Sequence, residues 1–334
     1  MSTISFLNDE VAGLVSVVIP IFQGEKYIAE TLDSLSAQTY RHWELIVVED
    51  ASRDATEEIV ADFARRHPEH RVVFKRNERN SGPSHSRNVA FAQARGQYVA
   101  LLDADDRWFP DHLADSVGKL ESTKSDVAYS SVVMFEDETG LLLGIWGPTA
   151  EDLKDFPQRL FISNSITPSA TVFRRQVLAD VGAWNTSLRL CEDLEYWLRC
   201  VNAGKRFQFV GGCHCLYRKN HANAATNKLC AVQEAFAGVV AQFIPLRGVR
   251  ERTCRRFAAK AYLTAAELHL QSDPRVDLSA DPRRAASLVT KAWKLRPRRV
   301  GYLLLSVRHR VTSAFRRKPG GVVRSSTSSQ RKAA

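Results

Sequence analysis

The sequence predicts an α/β fold in which a mainly parallel central sheet is followed by a small C-terminal helical appendage. Over roughly the first hundred residues, β-branched apolar runs alternate with segments whose apolar residues recur at helical spacing. The connections between these segments have ordinary lengths for right-handed crossovers between parallel strands. Acidic residues collect where the apolar runs end, which is the edge at which sheets of this kind bind ligands.

The first third of the chain contains four predicted strands and three predicted helices in alternation. The strands are expected at residues 15–20, 43–48, 71–75 and 98–102. The helices are expected at residues 26–38, 56–66 and 84–94. Gly96 is expected to close the third helix in the left-handed conformation. Residues 1–13 are expected to form a flexible lead-in.

The remaining residues continue this alternation and then change in character. Helices are expected at 111–121, 174–181 and 192–203, and strands at 126–135, 141–146, 170–173, 207–210 and 213–218. Ala- and Leu-rich helical segments are expected at 228–244, 249–271, 283–295 and 299–315. The sequence thus predicts a main domain of residues 14–227 with two parts, 14–110 and 111–227, then a helical region of residues 228–316 and a disordered basic tail of residues 317–334.

The composition is that of an ordinary globular protein. Of the 334 residues, 44% are hydrophobic and 25% are charged, which suits one large domain with an appendage. The apolar run from Leu14 to Phe22 contains Ser16 and Pro20 and is far too short to cross a bilayer. No signal peptide is recognisable, so we expect a cytoplasmic protein with its six cysteines as free thiols.

The net charge of +10 is unevenly distributed along the chain. Residues 246–334 contain 22 Lys and Arg but only 5 Asp and Glu, whereas the first 245 residues carry a net charge of −7. This basic C-terminal region suits docking on an anionic membrane surface, and a solvated basic helix bundle is the open alternative. Nucleic-acid binding is not expected, because aromatic residues are sparse among these charges.

Three carboxylates, Asp103, Asp105 and Asp106, follow the apolar run at 98–102. Crowded acids at the end of a buried strand repel one another and are costly to desolvate. A hard divalent cation, Mn²⁺ or Mg²⁺, shared with the phosphates of a ligand would relieve that cost. The alternative is a helix N-cap, although a single Asp would suffice for that role.

Three further positions are candidates for chemistry, each with a structural alternative. Glu49 and Asp50 end the second strand and offer a carboxylate to the N–H of a pyrimidine base, or simply form a strand-to-helix turn. Arg87 opens the third helix and is placed to reach a diphosphate, or is a surface arginine. Glu192 and Asp193 open a later helix and offer a general base near an acceptor hydroxyl, or merely favour the helix dipole.

Over about residues 14–225 the sequence resembles the family 2 glycosyltransferases, which have the nucleotide-binding GT-A fold. The segments that carry this resemblance occur in order: 15–23 (VSVVIPIFQ), 35–40 (LSAQTY), 43–52 (WELIVVEDAS), 80–88 (NSGPSHSRN), 96–106 (GQYVALLDADD), 167–175 (TPSATVFRR), 181–184 (VGAW) and 191–199 (CEDLEYWLR). The resemblance implies that residues 14–110 bind a nucleotide sugar and that residues 111–227 form the acceptor-side half.

The resemblance also implies roles for individual residues. The donor side would comprise Pro20 and Phe22 at the base, Asp50 at its N–H, Arg87 at the diphosphate and Asp103 at the ribose or sugar, with Glu25 and Glu49 as further donor-binding residues. Asp105 would hold the metal together with Asp106. Asp193 would be the catalytic base with Glu192 beside it, and Arg218 and His221 would contact the phosphates or the acceptor.

The implied activity is the inverting, metal-dependent transfer of one sugar. The donor would be a UDP-sugar and the acceptor a hydroxyl of a glycan or lipid-linked molecule, in cell-surface polysaccharide or glycolipid synthesis. Docking of the basic C-terminal region would place the site at the inner face of the membrane. Glu49 and Gln23 depart from the Asp and Asn that the family usually has there. No Gln-x-x-Arg-Trp motif of the processive branch occurs. The alternative function is a non-catalytic nucleotide-sugar-binding protein that kept the fold.

Overall fold

The computed structural model describes residues 10–219, 229–271 and 281–297. The expected helix at 299–315, the basic tail and His221 therefore lie outside the described residues. Within the described ranges, nine strands form one sheet with the order β3-β2-β1-β4-β8-β6-β9-β5, and β7 pairs with β6. The strands are β1 Val11–Ile21, β2 Trp43–Glu49, β3 Val72–Arg76, β4 Gly96–Leu101, β5 Arg107–Trp108, β6 Val127–Glu136, β7 Leu142–Trp146, β8 Thr171–Arg174 and β9 Phe207–Lys219.

Ten α-helices lie between and after these strands in the described residues. They are α1 Ile28–Ser36, α2 Thr56–Arg66, α3 Pro83–Phe91, α4 His112–Thr123, α5 Ala150–Lys154, α6 Gln176–Val181, α7 Glu192–Asn202, α8 Leu229–Gln242, α9 Glu251–Leu268 and α10 Pro282–Leu295. The predicted α/β fold with a mainly parallel central sheet and C-terminal helices is confirmed. The short elements β5 and α5 were not predicted, because a few residues carry too little periodicity to be recognised.

The first four strands form the parallel part of the sheet. β1 lies between β2 and β4, with Val17 beside Leu45 and Ala100, and β2 pairs in parallel with β3. Side chains alternate between two buried clusters, so that Val17 and Leu45 face one cluster while Val18 and Ile46 face the other. All seven residues of β2 are buried, as expected of a strand covered on both faces. The carboxyl ends of β1 to β4 therefore meet at one edge of the sheet.

The later strands add antiparallel pairs to the sheet. β8 pairs antiparallel with β4 and β6, and β5 pairs antiparallel with β9. β9 runs without a break from Phe207 to Lys219, where two separate strands were predicted. Gly211 and Gly212, which suggested a break, adopt positive φ where the register with β6 shifts. They form an irregularity within one strand, as glycines often do.

Gly96 does not have the role that the sequence suggested. Helix α3 ends at Phe91, and Gly96 is the first residue of β4 rather than a left-handed helix cap. A Cβ at Gly96 would lie 2.5 Å from the carbonyl oxygen of Leu14, and its N–H donates to Ser16 Oγ at 2.8 Å. A glycine is needed here because β4 begins in close contact with β1.

The C-terminal helices α8, α9 and α10 pack on one another through small buried residues. Ala258, Ala265 and Ala292 have no exposed surface, and neither has Leu288. These residues belong to the same buried cluster as one face of the central sheet, so the helical region packs on the main domain. Among the helices of the described residues, none combines the length and the apolar character needed to cross a membrane.

Candidate active site

Strained backbone marks three chain segments that lead into the candidate site. Gln23 after β1, Ala51 after β2 and Cys191 before α7 adopt positive φ angles of 51°, 64° and 57°. Such angles are uncommon for residues other than glycine, and strain of this kind is concentrated at functional sites. The three positions flank the residues that the sequence singled out.

Asp50 anchors the loop that precedes α3. Its carboxylate is 3% exposed and accepts hydrogen bonds from Asn77 Nδ2 at 2.8 Å, Ser81 N at 2.9 Å and Gly82 N at 2.6 Å. Gly82 has a φ of +87°, and a Cβ there would collide with Arg189. The N–H of a base would therefore have to share carboxylate oxygens that the loop already engages.

Glu49 and Glu25 are occupied by contacts within the protein. Glu49 is fully buried, pairs with Arg76 and accepts a hydrogen bond from Ser52 Oγ at 2.7 Å. Glu25 accepts a hydrogen bond from Ala55 N at 3.0 Å and so ties the turn after β1 to the start of α2. In the structure both stabilise the turns that follow β1 and β2, and their expected contact with the donor stays a prediction. Phe22, which is 46% exposed, remains open to a ligand.

The strand-end acids, Asp103, Asp105 and Asp106, lie directly after β4. Asp106 is fully buried, its Oδ1 accepts a hydrogen bond from Arg218 N at 3.0 Å, and its Oδ2 has no hydrogen-bond partner. Burial, together with the charges of Asp105 and Asp103, raises the pKa of Asp106 well above its ordinary value. Burial also raises the pKa of Asp103, against the opposing charge of Arg87. The cluster therefore gains from positive charge placed nearby.

Arg87 connects the strand-end acids to the start of α7. Its Nη2 donates to Asp103 Oδ1 at 2.7 Å, and its Nη1 donates to Glu192 Oε1 at 3.2 Å. The guanidinium lies 4.6 Å from the ring centroid of Trp184 and the residue is only 3% exposed. The surface alternative for Arg87 is wrong, because the residue is buried and both ends of its guanidinium are held by acids, whereas the expected contact with a diphosphate stays a prediction.

Arg218 is likewise held by acids and contacts the strand-end acids through Asp105 and Asp106. Its guanidinium donates to Asp137 Oδ1 at 2.7 Å, to Glu30 Oε2 at 2.9 Å and to the carbonyl oxygen of Asp105 at 2.9 Å. It also lies 4.4 Å from the ring centroid of Tyr27. Arg218 was predicted to contact phosphates or the acceptor. In the structure it fixes the backbone that carries the acids.

The helix-start acids, Glu192 and Asp193, open α7. Asp193 Oδ2 accepts a hydrogen bond from Asn164 Nδ2 at 2.6 Å, and its Oδ1 accepts one from Leu194 N at 2.7 Å. Burial, followed by the neighbouring charge of Glu192, raises the pKa of Asp193 to about 7. A carboxylate that exchanges its proton near neutrality is suited to general-base chemistry.

The structure adds two residues that the sequence did not indicate. Asn164 orients Asp193, and Ser169 Oγ accepts a hydrogen bond from Asp103 N at 3.1 Å. Ser169 lies in the segment 167–175 of the family resemblance, which was the only available signal. Asn164 lies in an irregular loop with no recognisable pattern.

The donor groups present suit a divalent cation only in part. Within the described ranges, no three or more His, Cys, Asp and Glu side chains are arranged to hold a metal ion. The raised pKa values of Asp103 and Asp106 nevertheless mean that a nearby cation would stabilise the charged forms of these acids. Mg²⁺ typically binds one or two carboxylates and completes its shell with water and substrate phosphates. The residues therefore fit a cation that arrives with a diphosphate.

Comparison with known sequences gives consistent matches. A family model described as Glycosyl transferase family 2 matches residues 16–182, half of the chain. An uncharacterized glycosyltransferase of Methanocaldococcus jannaschii, MJ1057, is 30% identical over 59% of this chain and 68% of its own length. TuaG of Bacillus subtilis, named for teichuronic acid biosynthesis, is 29% identical over 67% of this chain and 86% of its own. WfaP of Escherichia coli, named as a β-1,3-glucosyltransferase that acts with UDP-Glc on α-D-GlcNAc-diphosphoundecaprenol, is 26% identical over 64% of this chain and 81% of its own.

Solved structures show the same fold at lower sequence identity. S. aureus TarS is 20% identical with a TM-score of 0.64, covering 90% of this chain but only 54% of the TarS chain. TarS 1–349 in complex with UDP-GlcNAc has a TM-score of 0.63 and is covered over 91% of its length. A mannosyltransferase of Pyrobaculum calidifontis, PcManGT, in complex with GDP-Man and Mn²⁺, is 18% identical with a TM-score of 0.55, covering 90% of this chain and 85% of its own.

Proposed function

Because the chain belongs to glycosyl transferase family 2, we propose that it transfers a single sugar from a UDP-sugar to an acceptor hydroxyl with inversion at the anomeric carbon. The family membership makes it a glycosyltransferase. The UDP-GlcNAc complex of TarS 1–349 and the UDP-Glc in the name of WfaP support a UDP-linked donor. The diphosphoundecaprenol acceptor in the name of WfaP supports a lipid-linked acceptor, with a glycan as the other candidate.

One observation carries the proposal most directly, namely that Arg87 binds an acid from each of two distant segments. Asp103 and Glu192 are 89 positions apart in the sequence, yet the same guanidinium pairs with both. The donor-side acids and the candidate base are thereby held at a fixed separation. Fixed positioning of reacting groups is a major source of catalytic rate.

Asp193 is the proposed general base. Its pKa of about 7 allows it to take the proton of the acceptor hydroxyl as that oxygen attacks the anomeric carbon. Asn164 and the N–H of Leu194 hold the two carboxylate oxygens in a defined orientation. A single displacement by this route inverts the configuration and needs no nucleophilic carboxylate, unlike a retaining glycosidase.

Asp105 is the proposed protein ligand of Mn²⁺ or Mg²⁺, and Asp103 is proposed to face the ribose or sugar. When bound, the cation would stabilise negative charge on the leaving diphosphate. Asp106 is fully buried, so we assign it to positioning the loop through Arg218 and not to direct ligation. Pro20 and Phe22 would contact the base at the end of β1, where Phe22 is exposed. The Mn²⁺ complex of PcManGT supports the use of a divalent metal.

A panel of nucleotide sugars tests the function. The purified chain is supplied with Mn²⁺ and each donor, and release of the nucleotide is measured on addition of glycan or lipid-linked acceptors. Turnover with a UDP-sugar, abolished in both Asp105→Ala and Asp193→Ala, is the expected result. Full turnover in both variants would refute the assignment of the site. Binding of UDP without transfer to any acceptor would support the non-catalytic alternative.

The basic C-terminal region is proposed to dock on anionic lipid at the inner face of the membrane, beside a lipid-linked acceptor. Its excess of basic residues over residues 246–334 supports electrostatic attraction to such a surface. Co-sedimentation with anionic liposomes is expected for the full chain and reduced after deletion of residues 296–334. Equal sedimentation of the full and shortened chains, or none at all, would contradict this part of the proposal.

A further inference from the structure

A small cavity at the start of α9 is lined almost entirely by arginine. Arg250, Arg252, Thr253 and Arg256 from the first turns of α9 surround it, together with Arg296 at the end of α10. Its volume is about 280 Å³, just below the size of typical small-ligand cavities. Among the described residues, its wall includes no carboxylate. We call this feature the arginine cavity.

The positive charges of the arginine cavity lie at the positive end of the dipole of α9. The amino end of a helix carries a partial positive charge, so cations there are unfavourable and anions are stabilised. Arg250 occupies the N-cap position, and no side chain caps this end of α9. The acid of the first turn, Glu251, pairs with Arg255 at 2.7 Å. The arrangement would gain stability from an external anion.

Three of the arginines are available to such an anion. Arg250, Arg252 and Arg256 are exposed and form no ion pair with any residue that the structure describes. The guanidinium of Arg256 lies 4.6 Å from the ring centroid of Phe257, which restricts its orientation. Several guanidinium groups and a helix amino end together match an anion with multiple oxygens and more than one charge.

We propose that the arginine cavity binds a phosphate group. Arginine is the residue that best recognises phosphate, because its planar fork donates two parallel hydrogen bonds. The phosphate could belong to the headgroup of an anionic lipid or to a soluble phosphate compound, and the same chemistry serves both. The site lies in the helical region, so it stands independently of the transferase chemistry proposed above.

The test compares two variants of the full-length chain. Arg252→Gln combined with Arg256→Gln removes two charges from the cavity. Arg283→Gln combined with Lys294→Gln is the matched control, since it also removes two charges and both residues are exposed, belong to α10 and lie outside the cavity. None of these residues belongs to the proposed catalytic site, so turnover of a soluble acceptor should remain unchanged in both variants.

Two probes distinguish the sources of the phosphate. Inorganic phosphate is titrated at constant ionic strength while the thermal unfolding midpoint is followed. Co-sedimentation is measured with phosphatidylcholine vesicles that contain or lack phosphatidylglycerol. We expect the double variant to require at least about tenfold more phosphate for the same stabilisation, because two charge-assisted hydrogen-bonding groups are lost. The control variant should behave as the wild-type chain.

Loss of both phosphate stabilisation and phosphatidylglycerol-dependent sedimentation in the double variant would identify a lipid headgroup as the source. Loss of phosphate stabilisation alone would identify a soluble phosphate compound. A double variant that responds to phosphate as the wild-type chain does, or a wild-type chain that responds to neither probe, would overturn the proposal.

Discussion

The strand-end acids and the helix-start acids are joined by Arg87, yet the chain holds them in different ways. The side chain of Asp106 is buried. Its Oδ1 accepts a hydrogen bond from the backbone N–H of Arg218, and its Oδ2 has no hydrogen-bond partner. Asp193 instead has both oxygens engaged by neutral N–H donors and a pKa raised to about 7. The first arrangement favours a nearby positive charge, whereas the second favours exchange of a proton.

This difference separates binding from proton transfer. Cation binding gains from crowded carboxylates whose charged forms a positive charge would stabilise, and the loop after β4 provides them. Proton transfer depends on one carboxylate whose pKa matches the working pH, which burial at the start of α7 provides. Substitutions in the two clusters should therefore alter different measurable quantities.

Asp193→Asn should have the largest effect on activity. The amide keeps the shape of the side chain but cannot accept a proton, so kcat should fall by roughly 10²- to 10⁴-fold with little change in the donor KM. Steady-state kinetics with varied donor measures both constants. Asp180→Asn, an acid that pairs with Lys205 away from the site, is the control and should be unaffected. A kcat within a few-fold of the wild-type value would remove Asp193 from the mechanism.

Arg87→Gln should have the largest effect on stability, because it breaks the link between the clusters. It would leave Asp103 and Glu192 without the guanidinium that pairs with both of them. Such a loss typically lowers the free energy of unfolding by about 3–5 kcal/mol. The positive charge of Arg87 also lowers the pKa of Asp193, so its removal should move the acidic limb of kcat/KM to higher pH. Denaturant unfolding and a pH profile measure the two effects.

Arg87→Lys is the informative companion to this variant. Lysine keeps the charge but not the two-ended contact, so the pH profile should recover while much of the stability loss remains. Wild-type stability in Arg87→Gln would show that the bridge does not hold the clusters together.

Asp105→Asn should alter the metal requirement specifically. Loss of a direct ligand should raise the Mn²⁺ concentration for half-maximal activity by at least about tenfold. Loss of a group that only hydrogen-bonds to a metal ligand already lowers metal affinity by about that factor. Asp106→Asn is the neighbouring control and should lower the unfolding midpoint without changing the Mn²⁺ requirement. If the two variants exchanged these effects, the roles of Asp105 and Asp106 would have to be exchanged too.

Glu192→Gln should have the smallest effect. It should shift the pH dependence of kcat/KM in the direction opposite to the shift caused by Arg87→Gln. The charge of Glu192 raises the pKa of Asp193, so its neutralisation should move the acidic limb of kcat/KM to lower pH. The base must be deprotonated to act, so activity rises with pH through that pKa in every variant. A shift of no more than about one unit is expected. A shift to higher pH would contradict the coupling between the helix-start acids.

Much of the fold was predictable from the sequence because the buried strands repeat a simple pattern. β2 and β4 each contain an apolar run bounded by turns, and segments with the apolar spacing of a helix lie before and after them. Local periodicity therefore placed each strand within a few residues. β1 begins at Val11, four residues before the predicted Val15, and its first four residues, Val-Ala-Gly-Leu, are exposed or only partly buried and include a glycine. The prediction also split β9, since two glycines usually interrupt a strand but here form an irregularity within it.

From the sequence we could single out several charged residues that the fold brings together, but not the partners that hold them. From the sequence, Arg87 was predicted to contact a diphosphate, and Arg218 was predicted to contact the phosphates or the acceptor. Only the fold reveals that each guanidinium is already held between two carboxylates. Asn164 was missed for the same reason, since its contact with Asp193 spans 29 positions and leaves no local pattern.

The central claim is that the strand-end acids bind the donor with its cation while Asp193 performs the proton transfer. Calorimetric titration of UDP, with and without Mn²⁺, into Asp105→Asn and Asp193→Asn tests it most directly. We predict that Asp193→Asn binds UDP with the Mn²⁺ dependence of the wild-type chain, whereas Asp105→Asn loses that dependence. Mn²⁺-dependent UDP binding that is lost in Asp193→Asn and retained in Asp105→Asn would contradict the account.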